Sequence, residues 1–183
     1  MSKFLNKFSM FELVVISLTA ALGIAIKPII VPLVHIITGP LYIPGGAAAG
    51  GFYMLWLVLG LGLTKKIGTG SLIGITQALL VIITGAYGNH GAISIITYTV
   101  PGILIDIGAK LLGNKFITPA GFFILGLLAN ISGTMLSNMV FFRLPLIPLL
   151  LSLSAASLSG GLGGLIAYNI VKTIRKQGDI YDK

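Results

Sequence analysis

Six apolar stretches take up most of this chain, at 10–27, 45–63, 68–86, 92–112, 118–142 and 146–174. Each is near the length of about 20 residues that a helix needs to cross the hydrocarbon core of a bilayer. No stretch alternates apolar and polar residues over about ten positions, so a strand barrel is not indicated. Charged residues are 9% of the 183 positions, whereas a soluble domain carries about 25% to solvate its surface. Twelve Lys/Arg, four Asp/Glu and two His are too few to cover a globule of this size. They are enough to decorate the two ends of a helix bundle in lipid. The expectation is one all-α membrane domain over 1–183, with six transmembrane helices in a single bundle.

The basic residues set the orientation. With the N-terminus inside, Lys3, Lys7, Lys65, Lys66, Lys110, Lys115, Lys172, Arg175, Lys176 and Lys183 all fall on the cytoplasmic side. Arg143 alone falls outside, and Lys27 ends the first span. The bias has the sign of the positive-inside rule, and an even span count puts both termini in the cytoplasm. A net charge of +8 spread in ones and twos does not indicate a nucleic-acid partner. The first 27 residues share features with a signal peptide, with Lys3 and Lys7 before an apolar run and small residues at Ala21 and Gly23. The rest of the chain is equally apolar, so an uncleaved first span is the simpler expectation.

Between the first two spans lies PIIVPLVHIITGPLYIP, with Pro28, Pro32, Pro40 and Pro44. Proline cannot donate to a helix ladder and disfavours α conformation in the residue before it. A lid folded over the outer mouth of the bundle accounts for a segment both proline-rich and apolar. The alternative is a first helix that continues, kinked, to Ile37. Small residues recur at helical spacing in Ser17, Ala21 and Ala25, in Gly46 and Gly50, in Gly70 and Gly74, and in Gly160 and Gly164. Such spacing lets helix backbones approach closely in lipid. For the glycines, packing within the bundle is the expectation.

Much chemistry is excluded. There are no cysteines, no phosphate-cradling G-x-x-x-x-G-K-[ST], and no pair of carboxylates within the spans. The acids are Glu12, expected at the interface, Asp106, and Asp179 and Asp182 in the tail. Neither catalysis, nor a metal site, nor a cofactor is expected. Gly85-Ala86-Tyr87-Gly88 is similar to a potassium filter but does not meet its pattern. Asp106 lies two-thirds of the way through the fourth span, and an intramembrane acid is a functional candidate by default. Lys110 lies four residues on, on the same helix face, where a structural ion pair is the other expectation.

Polar and aromatic groups collect instead at the outer end. Lys27, His35 and Tyr42 belong to the first connection, and Tyr87, Asn89 and His90 to the second. Tyr98 sits early in the fourth span, and Asn138 and Arg143 close the fifth. Donors converging with aromatics suggest a solute pocket. In such a pocket Lys27 and Arg143 would pair with a carboxylate or phosphate, Asn89, His90 and Asn138 would orient polar edges, and Tyr98 or Tyr42 would stack on a ring.

Four features together resemble the substrate-binding S component of energy-coupling factor (ECF) importers. They are the basic N-terminus before Ser17-xxx-Ala21-xxx-Ala25, and Gly39-Pro40-Leu41-Tyr42 leading into a glycine-rich second helix. The others are Lys65-Lys66-Ile67-Gly68 opening the third helix, and Gly88-Asn89-His90-Gly91 before a fourth helix ending in Gly102-Ile103-Leu104-Ile105-Asp106. The likeness covers 10–112 and is greatest to the branch taking up thiamine or its hydroxymethylpyrimidine precursor. It implies six helices in a prokaryotic plasma membrane, a vitamin or precursor captured near the outer face, and no ATPase of its own. Power would come from a transmembrane T component and two cytoplasmic ATPases, with Ser17, Ala21 and Ala25 as the docking face. One departure stands out. Thiamine-type pockets use acidic residues, and the outer end here carries only Lys27 and Arg143, which suit an anionic or neutral ligand. The alternative is a stand-alone, proton-coupled secondary transporter using Asp106.

Overall fold

The computed structural model describes residues 7–86, 88 and 90–181, with side chains through 177. Lys3, Tyr87, Asn89, Asp182 and Lys183 lie outside the described residues. Those described form helices and turns without strands, in the order α1 (Met10–Ala25), α2 (Lys27–Thr38), α3 (Gly45–Thr64), α4 (Thr69–Thr84), α5 (Ser94–Leu112), α6 (Pro119–Ser137) and α7 (Leu146–Tyr181). Among the described residues, five helical segments are long and apolar enough to cross a membrane: Met10–Leu41, Gly45–Thr64, Gly91–Ile117, Pro119–Phe142 and Leu146–Gln177. The sixth expected span, α4, has 16 residues and is about 24 Å long at 1.5 Å per residue, less than the ~30 Å of hydrocarbon.

The proline-rich segment is helical, as the expectation of a kinked, continuing first helix has it. The break falls at Ile26, because Pro28 has no N–H to give to the preceding turn. Pro28 then sits in the first turn of α2, where a missing donor costs nothing, and the ladder restarts with Ile30 N–H donating to the Ile26 carbonyl at 3.1 Å. Pro32 is carried inside α2. No residue of α2 is fully buried, and the helix packs chiefly along α3.

Helix α3 is the hub, in contact with α1, α2, α6 and α7. Its Leu57, Val58 and Leu61 meet Ile73 of α4, Ile105 of α5, Phe122 and Leu125 of α6, and Ala167 of α7 in one core. The periphery is equally apolar: Leu18, Leu22, Ile83, Leu111 and Leu150 are exposed, as suits a lipid solvent. Without a hydrophobic difference between core and surroundings, close packing and internal hydrogen bonds must hold the helices. Gly126 and Gly160 supply one close crossing, since a Cβ on either would collide with the other's carbonyl. Buried Asn130 donates through Nδ2 to the carbonyls of Ala47 and Ala156, both at 2.9 Å, tying α6 to α3 and α7.

The α4–α5 contact has a polar lock. Helix α4 begins after Gly68 (φ 104), which offers no capping side chain. Asp106 of α5 replaces that cap, accepting from Gly70 N–H at 3.2 Å, Ser71 N–H at 2.8 Å and the Ser71 hydroxyl at 2.6 Å. A carboxylate against the positive end of the helix dipole is favourable. The expected Asp106–Lys110 pair is not formed: Lys110 is exposed, and Asp106 is turned to the neighbouring helix. At this end Ser9 and Glu12 form a capping box on α1, and Glu12 also pairs with Lys66 at 2.7 Å. Lys7 donates to the Ile67 carbonyl and Arg175 to the Gly62 carbonyl. The start of α1, the α3–α4 turn and the end of α7 thus share one basic end, while Lys27 and Arg143 occupy the other.

Candidate functional site

A cavity of about 490 Å³ opens at the Lys27 end, between α2, α3, α6, the start of α7 and the segment before α5. Each wall has a local cause. Helix α2 can lie against the start of α3 because Gly45 has no Cβ; one there would press on the Val31 carbonyl and His35. The segment before α5 turns at Gly88 (φ 86), beside the Tyr98 hydroxyl. The end of α6 widens into a π-helical turn, Asn138–Phe142. Such turns redirect side chains, and here Asn138 and Phe142 line the cavity.

Lys27 is the central charge. Its ammonium lies 4.0 Å from the ring centroid of Tyr98 and 4.5 Å from that of Tyr53. Both rings are held by their hydroxyls, Tyr53 donating to the Gly46 carbonyl at 2.6 Å and Tyr98 to the Gly88 carbonyl at 3.0 Å. His90 packs its ring 4.3 Å from Phe141 and has Nδ1 at 3.3 Å from the Thr97 hydroxyl. Burial, and secondly the charge of Lys27, lower the proton affinity of His90 below its ordinary value. Asn138 accepts from Leu144 N–H through Oδ1 at 2.8 Å, and its Nδ2 makes no hydrogen bond among the described residues.

Of the expected site residues, Lys27, His90, Tyr98 and Asn138 line this cavity, and so does His35. Tyr42 does not: it is 76% exposed, in a left-handed turn after α2. Arg143 is likewise an exposed left-handed residue (φ 46) outside the lining. Asn89 lies outside the described residues. Tyr53, Thr134, Ser137 and Ser152 complete the wall without having been anticipated. Thr134, Ser137 and Asn138 carried a signal, polar residues at i, i+3 and i+4 in an apolar helix; Ser152 had none beyond polarity.

No carboxylate lines the cavity among the described residues, and none of their His, Cys, Asp and Glu side chains gather in threes. A second hollow of about 360 Å³ lies at the basic end, beside Lys172, Arg175 and Lys176. Between the two the bundle is filled by the core around Leu57, Val58, Ile105 and Leu125. Ser17, Ala21 and Ala25 of α1, the expected docking face, are exposed. The chain matches no family model, no curated protein and no solved structure.

Proposed function

We propose that this protein is the substrate-binding subunit of an ECF-type importer, a six-span membrane protein with both termini cytoplasmic. It captures a small vitamin-like molecule at the outer face and hands it to partner subunits for ATP-driven uptake. The observation that carries this reading is the polar, aromatic-walled cavity at the end opposite the basic cluster, underlain by a packed core. A volume of about 490 Å³ is in the range of small-molecule sites, about 300–1,000 Å³. A blind pocket suits capture, and a packed core suits dependence on a partner to complete transport. The exposed small-residue face at Ser17, Ala21 and Ala25 is available for a transmembrane partner, as the family resemblance implies. Stand-alone proton coupling through Asp106 has less support, because both carboxylate oxygens already cap α4.

The test is isolation from the native membrane. Two ATPase subunits and a transmembrane partner should co-purify, and cells should lose ATP-dependent uptake of one small solute when the chain is deleted. Uptake by the purified chain alone in liposomes, driven by a pH gradient, would reject this function in favour of the secondary transporter.

A further inference from the structure

Beneath the main cavity is a recess of about 50 Å³ that includes Lys27, Tyr53, Gln77, Thr97, Tyr98 and Ser137. Gln77 projects from α4 and is 3% exposed; it borders the recess with Nε2 beside Gly23 of α1, and its amide makes no hydrogen bond among the described residues. Buried side-chain amides are ordinarily paired, so an unspent one at a recess wall indicates a missing partner. Ser137 brings a hydroxyl without a partner among the described residues, and Lys27 an ammonium whose neighbours are two ring faces. Ring faces attract a cation but accept none of its three N–H donors in the plane of a lone pair. The acids among the described residues are elsewhere. Glu12 is paired with Lys66, Asp106 caps α4, and position 179 lies near the end of α7, roughly 40 Å along the helix from Ser152 at 1.5 Å per residue.

The geometry points to a carboxylate as the group this recess holds, with Lys27 as its counter-charge, Gln77 and Ser137 as its hydrogen-bonding partners, and the ligand's apolar, ring-sized body in the cavity above. This assignment rests on the solute-capturing function and specifies its substrate class. One negative charge is called for, since Arg143 lies outside the lining and a phosphate dianion would leave charge uncompensated. A recess of about 50 Å³ has room for a group somewhat larger than a water, whose share of liquid is about 30 Å³. The walls above supply Val31, Pro32, Phe142 and Leu149 for the apolar part.

Three matched probes test this on the full chain in lipid nanodiscs: 1-naphthoate, 1-naphthamide and 1-naphthylmethylammonium, by equilibrium dialysis against empty nanodiscs. Naphthoate should bind saturably and about tenfold or more tighter than the other two. Lys27→Met should erase the preference and Lys27→Arg retain it. Gln77→Leu should weaken naphthoate severalfold, with unfolding temperature confirming that each variant is folded. If the amide or ammonium binds as well as the carboxylate, or Lys27→Met keeps the preference, the carboxylate assignment falls and solute capture stands. Saturable binding of none of the three overturns both.

Discussion

Asp106 and His90 are both polar groups facing structure rather than water. Asp106 holds the first turn of α4 as an acceptor, with two backbone N–H groups and the Ser71 hydroxyl converging on it. Asp106→Asn keeps the shape and loses the charge, so unfolding in detergent should become easier by about 1–3 kcal/mol. A transport cycle run by Asp106 protonation would instead show a folded, equally stable variant without uptake. His90 is disfavoured as a cation by its partial burial and secondly by the charge of Lys27. Its lowered proton affinity means that the unfolded chain takes up the proton first as pH falls. Stability should therefore be full above about pH 6.5 and decline below it. His90→Gln should flatten that decline, read as unfolding temperature at about pH 7.5 and about pH 5. At this scale the sequence was partly legible. Lys27, His90, Tyr98 and Asn138 stood out as polar groups at span ends, and the cavity gathers all four. Tyr53 and Gln77 lie deeper in their helices, where a polar residue is indistinguishable in sequence from one facing a neighbouring helix. Tyr42 and Arg143 sat at the same chain positions relative to the spans, but left-handed turns rotate them outward.

Among the elements, α1 and α2 show why proline content misled. Four prolines in seventeen residues weighed against a continuing helix, yet Pro28 occupies a helix start and Pro40 a short 3-10 turn, Gly39–Leu41. Only Pro32 interrupts a ladder, and a single interruption in an apolar setting is tolerated because an unwound backbone in lipid would leave more groups unpaired. The glycine spacings were more informative, since close crossing is a property of the pair of helices and not of the turn chemistry. Gly70 and Gly102 meet backbone to backbone, and Gly160 and Gly164 face the carbonyls of Gly126 and Phe122. Gly102→Val should therefore destabilise the α4–α5 pair and weaken ligand retention through loss of fold. The small residues of α1 should behave differently, because Ser17, Ala21 and Ala25 are exposed. Ala21→Leu and Ala25→Leu should leave unfolding temperature and probe binding unchanged and reduce co-purification of a transmembrane partner about tenfold or more. Loss of fold in these two would assign the face to packing within the bundle.

At the scale of the whole molecule, the distribution of charge and the course of the chain agree. The α3–α4 turn contacts the N-terminal segment through Lys7 and Lys66, and Arg175 near the end of α7 reaches Gly62 near the end of α3. The hollow at that end also joins Ile117 and Phe122 at the start of α6 to Lys172 and Lys176. Helix α4 leaves this basic end at Gly68 and reaches the segment of Gly88 and His90, which borders Lys27 at the other. So α4 runs from end to end despite its 16 residues, and in a crossing α4 a shortfall of a few Å against a ~30 Å core would be met by bilayer thinning or by snorkelling of Lys65 and Lys66. Six passes with the basic end in the cytoplasm are the topology proposed above, in the sense of the positive-inside bias. The chain has no cysteine, so single-cysteine variants report without background. Tyr42→Cys replaces an exposed side chain at the Lys27 end and Lys115→Cys an exposed one at the basic end. In intact cells a membrane-impermeant maleimide should label position 42 and spare position 115 until the membrane is opened. Labelling of both from outside would mean that α4 does not cross, and labelling of 115 alone would invert the protein and put the Lys27 cavity in the cytoplasm.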